Sequence, residues 1–244
     1  LKTRSWVQNL ITKSVANKSV AGSLSALTVG ARNLLSQRDW RIYQKTGTSH
    51  LVAVSGLHCG MVFLLFQWLC SFVVMMFPVH AKSSIPAHVV ARSIALLMTL
   101  IYAFLVGLSL PTQRAWLMLL FSIMPGFLFI ETPWWRRILL AFFVMVMLHP
   151  SDVVQASFWL SYSAVASLAY VSRSRIGKSS RLYDWMKMNL AITIGLMPLT
   201  LFYFRRISLA APIANVIAVP CVAMIILPGC LLSVFVSLFS LKLG

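Results

Sequence analysis

Apolar residues fill long blocks of this chain, and the charged positions fall in the gaps between them. The stretches 46–81, 93–113, 115–130, 138–151, 153–172, 188–204 and 207–241 hold no Asp, Glu, Lys or Arg. A bilayer core about 30 Å thick takes about 20 apolar residues per helix. Most of these stretches reach or approach that length, and the last has room for two helices. The pattern predicts an all-α protein, a polytopic transmembrane helix bundle of about six to eight membrane segments. A membrane β-barrel would alternate apolar and polar residues over segments of about 10 residues, and no such run is present.

Residues 1–49 behave differently. Leu10, Ile11, Leu24, Leu27, Leu34 and Leu35 recur among basic and polar positions. This reads as a basic amphipathic helical segment at the membrane surface, or as a polar face packed on the bundle. Ser36 is placed to cap a short helix, QRDWRIYQKTG, that ends at Gly47. Residues 50–244 then form the membrane domain. Its first span is expected over Leu51–Phe77 and its second over Ser93–Leu110, broken at Pro111. Pro111 suits the first turn of the next helix, whose apolar part is interrupted at Pro125-Gly126. Trp134 and Trp135 stand where interfacial anchors belong. Residues 138–148 are too few to span alone, so they join the following segment or enter and return. Spans over 153–172 and 188–204 follow, on either side of a basic cluster at 173–187. The closing apolar stretch is cut by Pro212, Pro220 and Pro228.

These interruptions change the picture of a plain bundle. A broken helix in lipid frees backbone N–H and C=O groups, tolerated only where protein or water satisfies them. SGLHCG (55–60), SLPTQR (109–114) and PIANVIAVP (212–220) are therefore expected to be broken or re-entrant and to face a wet interior; the competing explanation for each is a packing kink.

Composition adds a charge asymmetry: 21 Lys and Arg against 4 Asp and Glu, with 59% apolar residues. The acids are Asp39, Glu131, Asp152 and Asp184. Membrane proteins avoid acids and use basic loops to set orientation, which accounts for the asymmetry. Passage of a polyanion would account for it too. Arg114 sits between uncharged runs, at a membrane surface or buried in need of an anionic partner. Asp152, in HPSD, is read first as a helix cap. The four cysteines form no CxxC pair, so no zinc site and no cofactor are expected. RIGKSS at 175–180 lacks the earlier glycine of a phosphate-binding loop, since residue 172 is Ser172. Ser55 and His58 stand three apart on a potential helix. A hydrolase pair is one use; serine bonding back to the backbone is another. No cleavable leader is visible, and a start at Leu1 suggests a piece of a longer protein.

Four blocks, in order, carry a resemblance. GTSHLVAVSGLHCGMV is similar to the signature of the ComEC family of bacterial competence proteins, through Gly47, His50, Ser55, Gly56, Leu57 and His58. LPTQRAWLM resembles its Pro-Thr-x-Arg-Ala segment through Pro111, Thr112, Arg114 and Ala115. HPSDVVQASFWLSYSAVASL resembles a third segment through Pro150, Asp152, Phe158, Leu160, Ser161, Tyr162 and Ala164. SLAAPIANVIAVP resembles a fourth through Ser208, Pro212, Ala214, Asn215 and Pro220. One departure is Ala31, where the family often has Asp. The family's oligonucleotide-binding-like and metallo-β-lactamase-like domains have no counterpart here, so the resemblance is to the central competence domain.

The resemblance implies a multi-pass channel in the bacterial inner membrane that takes up single-stranded DNA during natural transformation, and no enzyme. Implied partners are single-stranded DNA, membrane lipid, and competence machinery that supplies DNA and a cytoplasmic motor, with a homo-oligomer as a further option. The residues it assigns to the DNA path are His50, Ser55, Gly56, His58, Gly60, Pro111, Arg114, Asp152, Trp159, Ser161 and Asn215. A path for phosphates needs positive potential, and aromatics such as Trp116, Phe158, Trp159 and Tyr162 can stack bases without sequence preference. An intramembrane hydrolase built on Ser55 and His58, and a small-anion transporter, are the alternatives.

Overall fold

The computed structural model describes residues 2–31, 33–52, 55–76, 86–128, 131–173, 181–205, 210–230 and 232–233. Ser208, the loop at 77–85, residues 174–180 of the basic cluster and the last apolar residues lie outside them. Among the described residues every regular element is helical. The chain divides into two units. The first holds residues 1–55, 105–107 and 171–244; the second holds 56–104 and 108–170.

In the first unit, α1 (Lys2–Ser14) packs on α2 (Lys18–Val29) through Val7, Val29 and Ala31. Asn17 caps α2 by accepting from the Ser19 and Val20 N–H groups, and Gly30 closes it in the left-handed region at φ 67°. α2 is rich in small residues and buries Ala21 through Val29 apart from Ser23 and Leu24. This middle helix is packed inside its unit. Burial comes from size: at Gly22 the carbonyl oxygen of Leu34 lies only 2.7 Å from where a Cβ would stand. α3 (Gln37–Lys45) begins with the expected Ser36 cap, a full capping box with Asp39. Its chain turns at Gly47, φ 71°, into the short α4 (Ser49–Val52). Leu27, Leu51 and Val222 form a buried cluster joining α2 and α4 to the last described helix.

That helix, α11 (Ala211–Cys221), does not break at PIANVIAVP. Pro212 lies in its first turn, where its missing N–H costs nothing. Past Pro220 the helix passes through a π-turn, Val222–Ile226, and continues to Cys230. The lost hydrogen bond is absorbed by widening one turn. Beside it, α10 (Arg181–Phe204) donates a hydrogen bond from Asn189 Nδ2 to the Pro212 carbonyl at 3.3 Å.

The second unit begins with α5 (Gly56–Met76) and α6 (Ala87–Leu105); in sequence α6 is followed by Gly107 (φ 90°) and Leu108 (φ 48°), both in the left-handed region. α7 (Leu110–Leu128) follows and packs against both α5 and α8. Phe63, Ala95 and Ile123 join α5, α6 and α7, and the Trp116 indole donates to the Leu96 carbonyl. α7 runs through Pro125 rather than stopping there, and Arg137 Nη1 reaches the Ser122 carbonyl nearby. Residues 138–148 belong to a separate helix, α8 (Trp134–Leu148). At 1.5 Å per residue it is about 22 Å long, short of a bilayer core. A 3-10 turn, Pro150–Val154, leads into α9 (Ala156–Arg173). Leu117, Met118, Ala141, Met145, Phe158 and Tyr162 build the core shared by α7, α8 and α9.

Among the described residues four helices are long and apolar enough to cross a membrane: 56–74, 87–105, 183–204 and 211–230. They turn large apolar side chains outward, including Leu64, Trp68, Phe104, Ile194 and Phe202. This is a helical membrane protein. The expected count of six to eight also includes α7 and α9, which match the four in length but interleave polar residues such as Gln113, Arg114, Ser157 and Ser161 with apolar ones.

Candidate functional site

The polar residues of two sequence motifs meet where α7 begins and α8 gives way to α9. Arg114, one turn into α7, is fully buried. Its Nη1 lies 3.5 Å from Asp152 Oδ2. Its Nη2 donates to both the backbone carbonyl and the hydroxyl of Ser157, each at 3.2 Å. The guanidinium stands 5.8 Å from the centre of the Phe158 ring. Asp152 is buried as well, and its other oxygen accepts from Gln155 Nε2 at 3.2 Å. Around this pair, His149 Nε2 contacts Gln113 Oε1 at 3.1 Å, and Gln113 Nε2 donates to the Leu108 carbonyl. The 3-10 turn therefore holds Asp152 as the counter-ion of Arg114. The reading of Asp152 as a helix cap gives way, because among the described residues its carboxylate is bonded to the side chains of Arg114 and Gln155.

Burying two opposite charges together is tolerable only when hydrogen bonds satisfy both. Ser157 and Gln155 supply several of those bonds. The match is incomplete, because the buried Arg114 Nε takes no hydrogen-bond partner among the described residues. What the cluster does chemically is to clamp the start of α7 to the turn before α9.

Other residues assigned to the path by the resemblance are distributed as follows. Gly56 opens α5 where a Cβ would come within 3.2 Å of Ala115 Cβ, so its size sets the approach of α5 to α7. Gly60 has nothing within 4 Å of that position. His58 is fully buried and Pro111 half-buried. Trp159 is partly exposed, with its indole donating to the Val153 carbonyl. Ser161 is half-buried, one turn beyond Ser157 on the same face of α9. Phe158 and Tyr162 are core residues: both pack edge-on or tilted against Phe142, and the Tyr162 hydroxyl donates to the Ala141 carbonyl. Both rings are buried.

His50, Ser55 and Asn215 belong to the first unit. His50 is exposed, with Nδ1 2.9 Å from the Gly47 carbonyl. Ser55 and Asn215 are half-buried, and Asn215 Oδ1 takes no hydrogen bond among the described residues. Also in this unit, the Ser36 and Ser19 hydroxyls hold the Asp39 carboxyl below its ordinary range. No group of three metal-ligating side chains occurs among the described residues.

Sequence reasoning did not name Gln113, Gln155 or Ser157. All three lie inside the motif windows, Gln113 next to Arg114 and Gln155 and Ser157 three and five residues past Asp152, and that proximity is the signal that could have found them.

A helical membrane protein with a buried, motif-borne ion pair defines a class. The chain belongs to the competence protein family, whose model matches residues 27–244. It is 33% identical to Recombination protein 2 of Haemophilus influenzae, over 96% of this chain and 31% of that protein. It is 30% identical to Competence protein ComA of Neisseria gonorrhoeae, over 86% of this chain and 30% of that protein. With ComE operon protein 3 of Bacillus subtilis the identity is 28%, over 96% and 29%. The chain thus spans under a third of the length of these relatives. No solved structure matches it.

Proposed function

We propose that this chain is the membrane-embedded conducting part of a DNA-uptake protein of the bacterial inner membrane, passing single-stranded DNA during natural transformation. The observation that carries the reading is membership of the competence family across residues 27–244. The chain's charge supports it. A strand brings one phosphate per nucleotide and favours a basic, acid-poor route. Of the four acids, Asp152 is neutralised by Arg114 and Asp39 is tied into a helix cap. The chain crosses the membrane several times and acts as a conduit, without catalysis of its own. Competence components outside it deliver the DNA and supply the pull.

Of the residues assigned to the path, His50, Ser55, Gly60, Trp159, Ser161 and Asn215 keep some exposure, whereas Arg114 and Asp152 are buried and act as a structural clamp within the second unit. The test is crosslinking of a photoreactive oligothymidylate to single cysteines at positions 55, 159, 161 and 215, in the full-length protein in membranes. Labelling at positions from both units, competed by unlabelled strand, is the expected result. Labelling at none of them, with intact protein, ends the reading. Modification of Ser55 by a serine-directed fluorophosphonate would instead favour a hydrolase.

A further inference from the structure

Helix α3 carries two faces with different chemistry. Asp39 and Tyr43, one turn apart, dock it on α2: Asp39 Oδ1 accepts from the Ser19 hydroxyl at 2.8 Å, and the Tyr43 hydroxyl meets that of Ser23 at 2.8 Å. The opposite face presents Arg38, Arg41, Ile42 and Lys45, spaced three and four apart and all exposed. These four line a shallow depression of about 430 Å³. Ile42, 49% exposed, sits among the three cations, and half-buried Trp40 and Leu35 border the adjoining hollow with Arg41. Asp39, next to Arg38 in sequence, turns its carboxylate to Ser19 of α2 and to Ser36.

We propose that this face of α3 binds the headgroup of an anionic phospholipid, with its phosphate on Arg38, Arg41 and Lys45 and its glycerol and first acyl carbons on Ile42 and the arginine and lysine stems. The occupant follows from three features. α3 rides on α2, which packs through Leu27 against Val222 of a candidate membrane helix, so the face is carried by a membrane-embedded unit. Cations mixed with an exposed aliphatic side chain match the boundary between headgroup and acyl chain. A nucleic-acid strand would call for exposed aromatic rings between the cations, whereas the centre of this face is Ile42 and its nearest ring, Trp40, is half-buried. The inference does not depend on the DNA-path reading.

The experiment is calorimetric titration of the purified, detergent-solubilised chain with short-chain phosphatidylglycerol, and with short-chain phosphatidylcholine, zwitterionic and of zero net charge, as the comparison. A basic residue at an anionic surface contributes about fivefold in binding. Phosphatidylglycerol should bind and phosphatidylcholine should not. Arg41→Gln should weaken binding about fivefold, and Arg38→Gln/Arg41→Gln/Lys45→Gln about a hundredfold. Arg38→Lys/Arg41→Lys should stay within a few-fold of the parent. Ile42→Ser should weaken the lipid while leaving glycerol phosphate alone unaffected. Because all these side chains are exposed, helix content should not change; should the triple variant misfold, the single Arg41→Gln decides. Unaltered binding in the folded variants overturns the proposal. So does displacement of the lipid by oligothymidylate at equal concentration, which would make this a nucleic-acid site, or by glycerol phosphate, which would make it a free-phosphate site.

Discussion

The start of α7 and the outer face of α3 are both arginine-bearing, yet they treat the charge in opposite ways. Arg114 is enclosed and answered by Asp152, Ser157 and the ring of Phe158. Arg38, Arg41 and Lys45 are exposed, and the carboxylate of Asp39 bonds the hydroxyls of Ser19 and Ser36. An enclosed charge must be matched at once by its own chain, since leaving it single in a low-dielectric interior costs several kcal/mol. An open one keeps its field for an outside partner. The comparison separates a cation that builds the fold from cations available for binding, a distinction that net charge alone hides.

The largest way to test the comparison is to leave one member of the enclosed pair alone. Asp152→Ala strands Arg114 and should destabilise the second unit by about 3–5 kcal/mol, read as lost helical ellipticity in a detergent-denaturation series. Replacing both groups, as Arg114→Met/Asp152→Leu, should recover most of that loss, because apolar residues of similar size often match a buried pair. If the pair is a clamp, the double variant also regains DNA uptake in transformation assays. Recovery of stability without uptake would instead make Arg114 a group the strand needs.

Three glycines sharpen the same contrast at the level of packing. Gly22→Ala meets a backbone carbonyl oxygen at 2.7 Å, which cannot swing aside. A loss of about 1–3 kcal/mol is expected, visible as a lower thermal midpoint. Gly56→Ala meets the Ala115 methyl at 3.2 Å, and its smaller cost should be relieved in part by Ala115→Gly. Gly60→Ala meets nothing within 4 Å. As a helix-interior change it should stabilise by up to about 1 kcal/mol. If Gly60 lines a strand's route, uptake falls in that variant although stability rises.

Much of the architecture was legible because lipid imposes a simple rule, about 20 apolar residues per crossing. The Ser36 cap and the turn at Gly47 were legible because each is a local event set by one or two residues. The breaks were misread where proline stood near a helix start or where a neighbouring turn could widen. Pro212 opens α11 and Pro220 is followed by a π-turn, so neither interrupts it. The Arg114–Asp152 partnership joins residues 38 apart and has no periodic trace. Scarcity of acids narrowed its candidates to four, and only folding selects one. The burial of α2 was hidden because Ala, Gly, Ser and Thr give a weak hydropathy signal, while their small size is what lets neighbours close over them.

The smallest effect tests the docked face of α3. The Ser36 hydroxyl, then that of Ser19, stabilise the ionised form of Asp39, so its folded pKa lies below the unfolded one. A depressed carboxyl pKa contributes stability that is fully present above the unfolded value, near 4, and lost as pH falls through the folded value. At neutral pH the cap and the bond to Ser19 should both be intact, so α3 amides exchange slowly. Lowering the pH below about 4 should release them, raising hydrogen exchange in residues 37–45 relative to α2 after correction for intrinsic rates. Asp39→Asn should flatten that pH response while leaving Arg38, Arg41 and Lys45 in place. An α3 whose protection is insensitive to acid in the parent would mean that Tyr43 and the helix packing hold it without the carboxylate. The division of α3 into an anchoring face and a binding face would then rest on Tyr43 alone.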